Sequence, residues 1–389
     1  MAGPSGTLRG TTAVVVNWRD LEHSSAGGSE HYAWEFAKAL RDGGADVEFL
    51  TARDHGQTRS DVRDGIRIRR GGGVLTFYVR AGLRLLRRRR RLDVVIDPAC
   101  GIPTFSPLFV RRRTVVVMPV HHVHQDQFAT YFPAPVAKVG QLLERVAMPR
   151  VYRRRRTVAV SESTRAEMVR RLRWAGAVDI LPNGSAVPDA ASFAPGDKDP
   201  DRLVALGRLV PHKRVELVLH AVRALLPARP GLHLDVCGKG PDEGRLRQLA
   251  VELGIADRVT FHGFVDEDRK WDLLRRASLH VCASDSEGWG QVVIEAAGAG
   301  VPTVARAVPG LRDSVRDGRT GWLVPDDDDL EVVGSRLTEQ VRAALQELDA
   351  PAARARTFEE CQRWAAGFTW ARMRERARAV VEEELARSR

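Results

Sequence analysis

The chain has 389 residues, 43% of them hydrophobic, and a formal net charge of +11. At about 100–200 residues per domain this is enough for two packed cores. No apolar run approaches the roughly 20 residues of a membrane span, which excludes a transmembrane protein of helical type.

The opening MAGPSGTLRG lacks an apolar signal core, so it predicts a short loose tail and no export. The four cysteines, Cys100, Cys237, Cys282 and Cys361, form no C-x-x-C pair. They predict buried, inert thiols in a reducing cytoplasm. Charge is uneven. Residues 1–195 hold 31 Lys and Arg against 18 Asp and Glu, whereas the remainder holds 30 against 32. The excess predicts an anionic partner for the first half, namely phospholipid, a phosphorylated carrier or nucleic acid. Arginine-rich solvated helix faces are the plainer explanation.

Taken in chain order, TAVVVNW (12–18) reads as a buried strand and SEHYAWEFAKALRDGG as a helix closed by Gly43-Gly44. DVEFLTA, LDVVIDP (92–98), TVVVMPV (114–120) and TVAVS (157–161) are further strands with helical stretches between several of them. Continuous apolar strands alternating with helices predict a parallel sheet covered on both faces. LPNGSAVPDAASFAPGDKDPD (181–201) is a linker by composition. The rhythm then restarts with RLVALG, HKRVELVLHAVRALL and HLDVCG, and continues to GWLVP. The expected fold is therefore α/β, with two Rossmann-like domains facing each other across a cleft. Their expected boundaries are 1–187 and 188–368, with 369–389 a charged helix packing back across the surface.

Five stretches are candidates for chemistry, and one of them, CGKGPDEGRL, falls away. Gly27 and Gly28 follow a strand and open a helix, where backbone N–H groups can meet an anion. In GRLVPHKR, Arg208 and Lys213 end a strand five residues apart, a spacing that suits a diphosphate; an exposed basic turn is the alternative. VMPVHHVHQDQF places His121, His122 and His124 at a strand's carboxyl end, with His122 and His124 on one face. No carboxylate or cysteine stands at zinc-like spacing, so no metal is expected, and one histidine hydrogen-bonding a polar substrate is the preferred reading. CGKGPDEGRL looks like a dinucleotide fingerprint, but its third glycine comes one residue late and no acidic strand end follows at the right distance.

The fifth stretch is SDSEGWGQVVIEAAGAG (284–300). Glu287 lies in a loop at a strand end, and Glu295 lies over one turn into the next helix. Between them, Gly288, Trp289 and Gly290 lead to a helix N-terminus suited to phosphate. Carboxylates repel phosphate and accept from hydroxyls. A sugar nucleotide offers that order: ribose, diphosphate, sugar.

Together the GGSE loop (27–30), GRLVPHKR (207–214), CGKGP (237–241), HGFV (262–265) and the E-x7-E from Glu287 to Glu295 resemble glycosyltransferase family 4, of GT-B fold, over essentially the whole chain. The resemblance implies retaining, metal-independent transfer of a hexose-type sugar from a UDP- or GDP-type donor, with no cofactor. It implies that Arg208 and Lys213 hold the diphosphate and that Glu295 holds the ribose. Glu287 would hold the sugar, beside the backbone of Gly288, Trp289 and Gly290. Phe264 and Val265 would meet the base, Gly28 the phosphates or acceptor, and His121, preferred over His122, the donor sugar. Trp289 departs from the family's frequent Phe. A GT-B epimerase and a sugar-nucleotide binder without transfer are the alternatives.

By the same resemblance the first domain chooses the acceptor, which is either a lipid-linked envelope glycan or a soluble natural product. TFYVRAGLRLLRRRRRLD reads as a helix with Arg80, Arg84, Arg87 and Arg91 on one face and Leu75, Val79, Leu83 and Leu86 on another. It could lie on an anionic membrane, giving a peripheral site on the inner face. It could instead bury those leucines on the sheet. No nucleic-acid reader motif is present.

Overall fold

The computed structural model describes residues 6–24, 26–73 and 76–388. The chain divides into two compact units. One comprises the chain up to Gly184 together with the segment from Trp370 onward; the other is Ser185–Thr369.

The first unit runs β1 (Thr12–Val16), α1 (Gly28–Asp42), β2 (Asp46–Thr51), β3 (Ser60–Arg63), β4 (Ile66–Arg70), α2 (Thr76–Arg88), β5 (Val94–Ile96) and β6 (Val115–Val120). It continues with α3 (Gln125–Tyr131), α4 (Ala134–Leu142), a π turn (Leu143–Ala147), α5 (Met148–Tyr152), β7 (Arg156–Ala159), α6 (Glu162–Leu172) and β8 (Val178–Ile180). Among the described residues its strands form one sheet in the order β3-β4-β2-β1-β5-β6-β7-β8. Only the β3–β4 pair is antiparallel. The β-branched runs predict buried parallel strands, and β6 is buried at every position.

The second unit runs β9 (Asp199–Leu206), α7 (Val215–Leu225), β10 (His233–Cys237), α8 (Glu243–Glu252), β11 (Val259–Gly263), α9 (Glu267–Arg276) and β12 (Ala277–Cys282). Then follow α10 (Gln291–Gly298), β13 (Thr303–Arg306), α11 (Leu311–Ser314), β14 (Gly321–Val324), α12 (Leu330–Asp349) and α13 (Pro351–Ala365). Its sheet is parallel, in the order β11-β10-β9-β12-β13-β14.

The last helix, α14 (Trp370–Ser388), packs on α1 of the first unit. Trp370 stacks on His31 with centroids 4.8 Å apart. Arg374 reaches the buried Glu35 at 2.5 Å, beside the salt bridge from Lys38. The α2 segment departs from the reading that buries its leucines on the sheet. Leu75 lies outside the described residues. The buried stripe is Phe77, Ala81 and Leu85, while Val79, Leu83 and Leu86 are exposed. Spacing of four residues keeps the sheet-facing stripe on one line, and that line contains an alanine in place of a leucine. Arg84 and Arg88 both pair with the buried Glu48 of β2, and Arg91 falls beyond the helix.

Burial would raise the Glu35 carboxyl, but hydrogen bonds from His31, Lys38 and Arg374 outweigh it and hold its pKa at about 2. A depressed folded-state value stabilises the fold above the ordinary carboxyl range, and this contribution is lost as pH falls towards 2. Glu35→Gln should therefore lower the melting temperature at pH 7 by about 2–4 °C. The gap from wild type should close in melting curves near pH 2.5, and a gap independent of pH would refute the assignment.

Candidate active site

Parallel strands end their carboxyl termini on one edge, and open α/β sheets place ligand chemistry there. In the second unit the β9, β10 and β11 tips are joined by backbone hydrogen bonds. Gly207 N–H donates to the Cys237 carbonyl at 3.0 Å, Leu209 N–H to Lys239 at 2.9 Å, and Gly238 N–H to Gly263 at 2.8 Å. Gly238 has φ +140°, and any Cβ there would overlap the Gly207 carbonyl oxygen. Close backbone packing thus accounts for the glycines of CGKG.

Beside these tips Gly207, Arg208, Lys213, Cys282 and Ser284 line a small cleft. Lys213 sits in a 3-10 turn (Pro211–Lys213) just before α7, and not inside the helix. Its ammonium makes a salt bridge to Glu287. Ser284 Oγ donates to the same carboxylate at 3.1 Å. Burial alone would lower the Lys213 pKa, but the Glu287 charge outweighs it and raises the value. Lys213 is therefore a cation at neutral pH. The two turns are braced from below. Arg214 donates to Asp285 at 2.8 and 2.9 Å, Arg306 also reaches Asp285, and Asp285 N–H donates to the His212 carbonyl.

The Glu287–Gly290 loop leads into α10, with Gly290 at its N-cap (φ +75°). Trp289 turns its ring into a cluster with Phe368, centroids 4.8 Å apart, which in turn packs on Trp364. The indole therefore anchors the loop. Glu295 is buried on α10 and faces Lys270 of α9 at 3.3 Å. Burial raises its pKa and Lys270 opposes the rise. Glu287 and Glu295 thus hold separate cations. At the β11 tip Phe264 is 75% exposed, while Val265 packs on the core.

Two predicted residues belong to the first unit. Gly28 opens α1, where the buried Glu30 accepts from Gly27 N–H at 2.8 Å, Ser29 Oγ at 3.0 Å and Arg19 Nε at 2.8 Å. Glu30 therefore holds the loop's shape. His121, beyond β6, is buried edge-on against Tyr32 with centroids 4.8 Å apart. Burial pushes its pKa down to about 3, so the ring is neutral. Its Nε2 has no hydrogen-bond partner among the described residues, a state that costs roughly 1–3 kcal/mol. His122 is half-buried, its ring 5.8 Å from that of His124.

Sequence reasoning missed Lys270, Asp285, Asp97 and Gly310. Asp97 follows β5 and accepts from Thr104 Oγ1 at 2.6 Å, Ser106 N–H at 2.9 Å and the Tyr152 hydroxyl, fixing a loop at the strand's end. Its only cue was a carboxylate after an apolar run.

Two comparisons with protein families complete this picture. Residues 26–185 match Glycosyltransferase Family 4, and residues 190–341 match Glycosyl transferases group 1. The chain belongs to the family-4-type GT-B glycosyltransferases. A D-inositol 3-phosphate glycosyltransferase of Streptomyces scabiei is 42% identical over 140 residues, covering 33% of this chain and 31% of that protein. The namesake from Mycobacteroides abscessus is 35% identical over 212 residues, covering 50% and 43%. These matches span about a third to under half of those relatives' length. Sucrose-phosphate synthase from Thermosynechococcus elongatus superimposes with a TM-score of 0.75 at 19% identity, over 97% of this chain and 100% of that one. Anabaena HepE, solved in complex with UDP and glucose, gives 0.69 at 15% identity, over 96% and 100%. The structural likenesses carry the GT-B fold.

Gly310 (φ +82°) sits against the loop, and a Cβ there would overlap the Glu287 carbonyl oxygen. Gly318 (φ +70°) faces open space. Gly310→Ala should cost roughly 1–3 kcal/mol more than Gly318→Ala, read by urea unfolding. Equal losses would remove Gly310 from the loop's support.

Proposed function

We propose that this chain is a retaining, metal-independent hexosyltransferase that uses a UDP- or GDP-type sugar donor. The observation that carries the reading is the convergence of Arg208, Lys213 and Glu287 on one strand-end cleft beside the N-terminus of α10. Relatives named as glycosyltransferases support it, and a fold neighbour solved with UDP and glucose makes UDP the first base to try.

In this reading the diphosphate competes with Glu287 for Lys213 and takes Arg208 as its second cation. Glu287, released, accepts from hydroxyls of the sugar, with the Gly288–Gly290 backbone beside it. Glu295 accepts from the ribose, and Lys270 opposes the rise that burial gives its carboxyl. Phe264 and Val265 meet the base. Gly28 serves the phosphates or the acceptor, and the unpartnered Nε2 of neutral His121 can pair with a sugar hydroxyl. In the reaction, the bond from the anomeric carbon to the diphosphate oxygen breaks. The acceptor oxygen bonds to that carbon on the same face, and its proton passes to the departing diphosphate. Arg208, Lys213 and the helix N-terminus stabilise the charge on that leaving group. The acceptor is a hydroxyl of a lipid-linked glycan or a small polyol. Inositol phosphate enters as a trial acceptor through the relatives' name.

Thermal shifts with UDP, GDP, ADP and dTDP test the donor. A nucleotide at about 100 times its Kd should add roughly 2.7 kcal/mol to stability, and much less in Lys213→Ala. Turnover of the variant should fall by about 10²–10³-fold, as for loss of an oxyanion partner. Unchanged turnover would sink the Lys213 role. Product from wild type that keeps the donor's anomeric configuration by NMR would support retention. Interconversion of donor without acceptor would favour an epimerase, and nucleotide-sugar binding without turnover would favour a binding protein.

A further inference from the structure

The first unit leaves two apolar stripes in water. On α2, Val79, Leu83 and Leu86 are 65%, 46% and 40% exposed. From the end of α3 through α4, Phe132, Val136, Val139 and Leu142 are 41%, 48%, 57% and 55% exposed. Both spacings keep to one helix face. The second unit, among its described residues, has only Val251 and Phe264 of this kind.

The two stripes belong to one layer. The connections β4–α2–β5 and β6–α3–α4–α5–β7 advance the same way along the strand order, while α1 advances the other way. Right-handed crossovers then put α2 and α4 on the same side of the sheet. The buried faces agree, because Phe77, Leu85 and Met148 share one core. The stripes therefore look outward from that layer.

Cations border them. Arg80 and Arg87 flank the α2 stripe, and Lys138 and Arg145 flank that of α4. None of the four has an ion-pair partner among the described residues. No Asp or Glu occurs in residues 71–92 or 127–143, and Glu144 is buried under the layer. Lipid acyl chains can take the valines and leucines while headgroup phosphates take the guanidinium groups. Nucleic acid would match the cations and leave the stripes in water. A second copy of this face would set cation against cation.

We propose that the outer face of α2 and α4 docks the first unit on an anionic lipid bilayer. This goes beyond the transferase reading and does not depend on it.

The test is co-sedimentation of the full chain with phosphatidylcholine vesicles, pure or with about a third phosphatidylglycerol, at low and high salt. Three variants are compared: Val79→Ser/Leu83→Ser/Leu86→Ser, Val136→Ser/Val139→Ser, and Arg80→Gln/Arg87→Gln. Each replaces exposed side chains, and an unchanged melting temperature verifies the fold. Val251→Ser is the control. Partition should favour anionic vesicles, weaken in salt, and fall by roughly tenfold or more in the arginine variant. Both serine variants should lose partition even where salt has weakened the charge attraction, and the control should match wild type. Absence of partition to anionic vesicles would overturn the proposal. So would partition that ignores these substitutions. A dimer in sedimentation equilibrium that the serines dissolve, without vesicle binding, would assign the face to a second copy and overturn it too.

Discussion

A parallel sheet delivers the carboxyl ends of its strands to one edge, and this constraint organises both units. Strands β9, β10 and β11 would end in unconnected loops without further bonds, and the loop after β12 joins them where Asp285 N–H donates to the His212 carbonyl. The hydrogen bonds among the tips at Gly207, Gly238 and Gly263 make those loops a shared rim. Arg208 and Lys213 project from one tip of that rim and Glu287 from another. Residues far apart in the chain meet because strand register leaves them little alternative.

Charge balance follows from that rim. Lys213 and Glu287 are brought out of water together, as are Lys270 and Glu295. A half-buried cation is costly unless paired, and removing one partner exposes the other to that cost. The Asp285 network on Arg214 and Arg306 lies just beneath and fixes the two turns that carry Lys213 and Glu287. Trp289 adds an apolar anchor to the same loop. The loop is thus held by charge on one side and by stacked rings on the other.

Much of this was legible in the sequence, for physical reasons. Buried parallel strands read as continuous apolar runs, so β1, β6, β9 and β12 stand out. Glu287 and Glu295 stand out because glycines and small residues surround them. The β3–β4 hairpin was missed. Its Asp64-Gly65 turn has positive φ at both residues, a common hairpin signal. The flanking arginines hid the alternation, because an edge strand can keep charge facing water. Lys270 and Gly310 were unreadable for another reason. Lys270 acts from within α9 and Gly310 from the cap of α11, and nothing local marks either. On α2, the reading that buried the leucines on the sheet fails, since Phe77, Ala81 and Leu85 form the buried line and Val79, Leu83 and Leu86 face outward.

The return of α14 to the first unit has a consequence for biosynthesis. Contacts from Trp370 and Arg374 to α1 close a unit whose other parts were translated more than 180 residues earlier. Domains generally fold as units, and emergence from the ribosome is sequential. The second unit, contiguous from Ser185 to Thr369, has all its strands available while the first still waits for its outer helix. The order of completion is therefore the reverse of the order of synthesis. In that interval the side of α1 that receives α14 stands open, and a chaperone has a defined surface to cover.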